Sequence, residues 1–163
     1  MEFIIIITVL LIDQGTKYLT DLYLSPLGST KVLIPGVLQF TSGHNKGAAW
    51  GMMQGKRFFF IGLTVIVCLL LIFYLIKRRK ELRVMPRVIL ALIIAGALGN
   101  LIDRIALGYV RDMIYFVLIN SPIFNVADSA LTIGCILLGI NVLFMNEKTF
   151  PELVEKKKTE DAE

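Results

Sequence analysis

The chain has 163 residues, 56% of them hydrophobic, and a formal net charge of +4, with a mean hydropathy of +0.73. Soluble domains run nearer about 45–50% apolar, so the excess excludes an ordinary water-facing fold and points to a membrane. Lys and Arg are clustered rather than interleaved with aromatics on a polar face, which argues against nucleic-acid binding. One His and two Cys offer little for a zinc site.

The N-terminus opens on Glu2 and an Ile run, without a basic region or a small-residue cleavage site, so it does not read as a removable signal peptide. A bilayer core needs about 20 apolar residues per helix. Phe3–Ile12 supplies 10 before Asp13, Phe58–Ile76 is an uncharged run of 19, Val88–Ile102 supplies 15 before Asp103, and Ser129–Asn146 gives 18. The first and third reach spanning length only by running past their charges. Four spans are therefore predicted, at about 3–22, 58–76, 87–106 and 125–146, in a single domain over 1–150.

Between the first two spans, Lys31–Ile34 and Val37–Thr41 flank Pro35-Gly36 and read as two short strands around a turn. Ser42 to Gly51 reads as loop, with His44 a loop or interface residue and Asn45 an amide able to hold a peptide. In the third span Ala91, Ala95 and Gly99 recur every four residues, a small face for close helix packing. After that span Asp112–Phe116 is amphiphilic, and Ser121-Pro122 is placed to start a helix. Cys68 and Cys135 lie in apolar runs and read as packing residues. The Lys/Glu-rich stretch 151–163 is expected to be a disordered tail.

Orientation follows from basic residues in short loops. The link between spans two and three carries Lys77, Arg78, Arg79, Lys80, Arg83 and Arg87 against Glu81. Both it and the Lys-rich tail should be cytoplasmic, as should the N-terminus; Lys56 and Arg57 stand against this on the outer side. The same topology brings Asp13 with Lys17, then Asn100, Asp103 and Arg104, then Asn125 and Asp128 to one outer surface. Ionisable groups at membrane depth usually face a bundle interior or a wet cavity, so a polar outer pocket is expected.

Two carboxylates stand out for chemistry. Asp112 follows the third span and Asp128 lies just inside the fourth. Brought close, two such groups cannot both ionise, and the pair can activate water on one side while protonating a leaving amine on the other. A plainer reading stays open: Asn125 and Asp128 have the spacing of a capping box, and Asp112 could be a solvated acid beside Arg111.

The residues also carry a resemblance. Asp13-Gln14-Gly15-Thr16-Lys17, His44-Asn45-Lys46-Gly47-Ala48-Ala49, Gly96-Ala97-Leu98-Gly99-Asn100-Leu101-Ile102-Asp103-Arg104, Gly108-Tyr109-Val110-Arg111-Asp112 and Phe124-Asn125-Val126-Ala127-Asp128-Ser129 resemble, in order, five motif blocks of the lipoprotein signal peptidase (signal peptidase II) family. The resemblance implies an all-α membrane protein of four transmembrane helices, with a small extracytoplasmic β-sheet and a short surface helix between spans three and four. It implies an aspartic endopeptidase using Asp112 and Asp128, with Asp13, Lys17, Asn45, Asn100, Asp103, Arg104 and Asn125 as supporting and substrate-contacting residues. Its substrates would be diacylglyceryl-modified prolipoproteins, cut just before the lipidated cysteine. No metal or cofactor is expected, and no partner beyond substrate and membrane lipid; the expected state is a monomer in a bacterial cytoplasmic membrane.

The chain departs from the family pattern at Arg111, where the family commonly has Val. An Arg there favours an ionised Asp112 if it points inward. The stretch between the two aspartates looks short, which would trim the surface helix. Two alternatives have their own signatures. A proton- or cation-coupled transporter would spread ionisable groups through membrane depth, and an intramembrane protease of the GxGD kind would need a motif this sequence lacks.

Overall fold

A computed structural model describes residues 1–47 and 55–143. Its elements in chain order are α1 (Glu2–Tyr23), β1 (Thr30–Ile34), β2 (Leu38–Asn45), α2 (Arg57–Arg78), α3 (Val84–Ala106), β3 (Val110–Phe116) and α4 (Val126–Leu143), with a short 3-10 turn at Val117–Ile119. All four helices are long and apolar enough to cross a membrane. α1 and α3 do continue past Asp13 and Asp103, which gives both their spanning length.

α3 is the centre of the bundle and packs on the other three helices. Buried residues make up 61% of its most apolar stretch, against 11%, 11% and 17% in α1, α2 and α4. Leucines, isoleucines and phenylalanines such as Leu11, Phe58, Leu70, Phe73 and Ile136 remain exposed on the outer helices. In water that surface would be untenable; against acyl chains it is the natural solvent, because each helix satisfies its own backbone.

The predicted small face is used at Gly99, and Gly96, which lies outside that face, makes a tighter approach still. A Cβ there would sit 2.4 Å from the Ala127 carbonyl oxygen, and one on Gly99 would sit 2.7 Å from an Asp13 carboxylate oxygen. Bare backbone at both positions lets α3 meet α4 and α1 closely enough for short polar side chains to bridge them. Ala91 and Ala95 are fully buried in the same helix.

Arg57 has a local explanation. Its guanidinium donates to the Arg104 carbonyl at 2.7 Å and the Ile105 carbonyl at 2.8 Å. It therefore caps the C-terminal end of α3, where carbonyls lack partners and positive charge is favoured. At the far end of the bundle, Glu2 is buried and ion-paired with Arg87 and with Arg79, tying the start of α1 to the start of α3.

The three strands form an antiparallel sheet in the order β1-β2-β3. Pro35-Gly36 makes the β1–β2 turn as expected, with Gly36 at φ +72°. One expectation fails beyond it. Ser42–Asn45 is strand rather than loop, because Gly43, His44 and Asn45 pair with Asp112, Arg111 and Val110, and the amphiphilic segment Asp112–Phe116 belongs to β3. Each segment looks irregular in isolation, and only the partner across 60-odd residues of chain gives it a ladder.

Ser121-Pro122 starts no helix. The Ser121 hydroxyl instead accepts from the Phe116 N–H at 3.1 Å, closing the turn after β3, and α4 begins at Val126. Between α3 and α4 the helical content is the three-residue turn Val117–Ile119. Ala48, Ala49, the end of the fourth span at Asn146 and the stretch 151–163 lie outside the described residues.

Candidate active site

Asp112 stands on β3 and Asp128 in the first turn of α4. Strand alternation turns Asp112 and Arg111 to opposite faces. Asp112 points inward and is 3% exposed. Two amides join it to Asp128. Asn125 donates its Nδ2 to Asp112 Oδ1 at 2.7 Å and to Asn100 Oδ1 at 3.0 Å. Asn100 in turn donates its own Nδ2 to Asp128 Oδ1 at 2.7 Å. The two carboxylates thus sit at the ends of one hydrogen-bonded chain, within range of mutual repulsion.

That environment sets the acidity of Asp112. Burial, and after it the charge of Asp128, push its carboxyl up to about 7, while hydrogen bonds from Asn125 and Asn45 act the other way. A carboxyl that keeps its proton near neutrality beside one that accepts several N–H donors is the arrangement of a shared-proton pair.

Behind the pair lies a dry ionic cluster. Lys17 is fully buried and contacts Asp13 at 2.9 Å, Asp103 at 3.5 Å and Asn100 Oδ1 at 3.2 Å. Its bond to Asn100 fixes which way that amide faces, and so aims the Asn100 NH₂ at Asp128. Asp13 also accepts from the Ala127 N–H at 2.9 Å, at the start of α4. One buried carboxylate therefore serves both a lysine on its own helix and an orphan N–H of another.

Arg104 lies on the open side. Its guanidinium donates to the Gly47 carbonyl at 3.1 Å, rests 5.3 Å from the Phe60 ring centroid, and feels the charge of Asp128, Asp112 and Asp103. Asn45 ends β2 and bonds Asp112. Asn45, Asn100, Arg104 and Asp128 line a cleft of about 520 Å³ together with apolar residues that include Ile123, Phe124 and Leu131. A lining of a few polar groups among apolar ones suits a substrate that is part peptide and part lipid.

All nine residues singled out in the sequence are gathered here. Arg111 does not meet the condition of pointing inward: its side chain lies on the back of β3, against Asp103, Gln14 and Asp21. It therefore makes no hydrogen bond to the Asp112 carboxyl that comes next in sequence. His44 stacks on Tyr109, ring centroids 3.8 Å apart, and joins β2 to the turn before β3. Gln14 and Asp21 were missed. Gln14 donates to Asp13, the Gly99 carbonyl and Asp103. Asp21 was findable, since it continues the four-residue spacing of Asp13 and Lys17 along one face of α1.

A sequence model of the family described as signal peptidase (SPase) II matches residues 5–144. A lipoprotein signal peptidase of Enterococcus faecalis is 48% identical over 141 residues, 86% of this chain and 86% of that protein. Another, from Caldanaerobacter subterraneus, is 44% identical over 88% of this chain and 97% of its own length. A bacterial membrane enzyme solved by the in meso method at 2.3 Å superposes with a TM-score of 0.81 at 40% identity, covering 87% of each chain. A second, at 1.9 Å, gives 0.79 at 39% identity, over 89% of this chain and 94% of the other.

Proposed function

This chain belongs to the signal peptidase II family, and from that premise we propose that it is an aspartic endopeptidase removing signal peptides from diacylglyceryl-modified prolipoproteins, with Asp112 and Asp128 as its catalytic pair. Cleavage falls just before the lipidated cysteine. The observation that carries the assignment is the amide chain from Asp112 through Asn125 and Asn100 to Asp128. It holds two carboxylates near one another without neutralising either.

Asp112, the more deeply buried, carries the shared proton, and Asp128 is the base. Water held between them gives a proton to Asp128 as its oxygen adds to the scissile carbonyl, and Asp112 protonates the carbonyl oxygen. Asp128 then passes its proton to the leaving nitrogen, the C–N bond breaks, and Asp112 recovers its proton from the collapsing diol. Arg104 and Asn45 hold the peptide backbone in the cleft. Acyl chains of the substrate lie against its apolar lining residues.

The site belongs at the extracytoplasmic interface of a bacterial cytoplasmic membrane, with the sheet and the Val117–Ile119 turn on the membrane surface and both termini inside. The basic link between α2 and α3 supports that orientation. The protein acts as a monomer on substrates diffusing in the membrane plane. The transporter alternative finds no support: between the Glu2 cluster and the Asp13 cluster the described helices carry no Asp, Glu, Lys or Arg at mid-depth. Incubating purified protein with a lipidated precursor tests the proposal; release of the signal peptide by wild type, but not by Asp112→Asn or Asp128→Asn, is the expected result.

A further inference from the structure

We propose that Arg111 is a positioning residue for the catalytic pair, acting through Asp103 from the back of β3. The role rests on the two-aspartate reading of the site. Every nitrogen of Arg111, side chain and backbone, donates to a neighbour. Its Nη2 and Nε reach the two oxygens of Asp103 at 2.8 and 3.2 Å, and its backbone N–H adds a third bond to the same carboxylate at 2.9 Å. Nη2 also donates to Gln14 Oε1 at 3.1 Å, and Nη1 to Asp21 at 3.0 Å. Burial alone would lower the basicity of this guanidinium, but Asp103 and Asp21 outweigh it and hold the group charged.

The geometry makes one residue a rivet through three elements. Asp103 belongs to α3, Gln14 and Asp21 to α1, and Arg111 to β3. A planar guanidinium fixes orientation as well as distance, because its fork matches both oxygens of one carboxylate. Asp112 is the next residue, turned to the opposite face, so clamping Arg111 fixes where Asp112 stands relative to Asp128 on α4.

Electrostatics gives the clamp a second effect on the pair. Asp103 is fully buried, and besides Arg111 its cationic partner is Lys17, shared with Asp13 and with Asn100 Oδ1. Without Arg111, Asp103 draws Lys17 toward itself. Asn100 then loses the bond that aims its NH₂ at Asp128.

The test compares kcat and KM on a lipidated precursor peptide for wild type, Arg111→Met, Arg111→Lys and Asp21→Asn, with the folded fraction of each measured by thermal unfolding in detergent. Arg111→Met is expected to lose about 10- to 100-fold in kcat per folded molecule, the scale of a displaced catalytic group, with KM changed less than about threefold. Arg111→Lys, which restores the charge but not the fork, is expected to recover part of that loss. Asp21→Asn takes one exposed arm from the clamp and should cost a smaller part of the same kcat. Wild-type kcat in folded Arg111→Met, or a loss confined to the folded fraction or to KM, overturns the role. If Arg111→Met does not fold, Arg111→Lys decides, since an unchanged kcat there would mean that the fork sets nothing. Failure of wild type itself to cleave the precursor would refute the peptidase reading, an outcome distinct from a cleaving wild type beside an unimpaired Arg111 variant.

Discussion

Asn125 and Asp128 cap each other at the start of α4: the Asn125 side-chain oxygen accepts from the Asp128 N–H at 2.8 Å, and the Asp128 carboxylate accepts from the Asn125 N–H at 3.2 Å. This is the reciprocal capping box, so the plain structural reading of Asp128 holds. It does not compete with the catalytic one. The cap uses Oδ2 of Asp128, leaving Oδ1 for Asn100, while the NH₂ of Asn125 is free to serve Asp112. The helix cap is what delivers the carboxylate to the cleft in a fixed rotamer.

Asn125 should therefore be sensitive in two separable ways. Asn125→Ala removes the cap, worth about 1 kcal/mol, and the donor to Asp112; both melting temperature and turnover should fall. Asn125→Asp keeps a capping oxygen but replaces the donor with a further buried carboxylate. Its turnover should fall by about tenfold or more, as for loss of a preorganised donor, even where its folding is preserved. Wild-type turnover in the Asp variant would mean that the amide chain between the two aspartates is irrelevant to the reaction.

The pair itself predicts a pH profile. Asn is nearly isosteric with Asp but cannot exchange a proton, so Asp112→Asn and Asp128→Asn should each lose at least about a thousandfold in kcat. In the wild type, Asp112 gives up its proton as pH rises through about 7. The rate should decline on that alkaline side, with limbs that belong to the pair. Initial rates between pH 5 and 9, at the buffers' common ionic strength, would reveal a flat alkaline side if Asp112 does not hold the proton.

The same shift is a statement about stability. Between its unfolded pKa near about 4 and its folded value of about 7, Asp112 binds more proton in the folded state. Stability must then fall as pH rises through that window, by an amount on the order of a few kcal/mol. Asp112→Asn removes the penalty while keeping an acceptor for Asn125. Its melting temperature should exceed the wild type's more at pH 9 than at pH 5, and equal gaps at both would show that Asp112 ionises freely.

Orientation predicts accessibility. With the basic link inside, a cysteine introduced at Lys80 should resist a membrane-impermeant reagent added outside whole cells, while one at Gly28 should react. The opposite labelling would invert the topology and remove the site from the extracytoplasmic face.

The four helices, the two-stranded turn around Pro35-Gly36 and the membership of Asp112, Asp128 and their seven companions in one site were legible in the amino-acid sequence. Each rests on local information: uninterrupted apolar length, a turn-forming dipeptide, or motif residues whose order along the chain is itself the signal. Register and facing were not legible. The strand character of Ser42–Asn45 and Asp112–Phe116 arises only from pairing each other across the whole of α2 and α3. Polarity within either segment carries no trace of a partner so distant. For the same reason Arg111 was open to misreading. Its position next to Asp112 suggested a direct charge effect, whereas strand pleating sends the two side chains apart and gives the guanidinium to Asp103. Composition and motif placed this chain among membrane peptidases of the signal peptidase II family. Tertiary structure decided which groups touch them, because hydrogen bonds and ion pairs depend on distances that only the packed helices and the assembled sheet set.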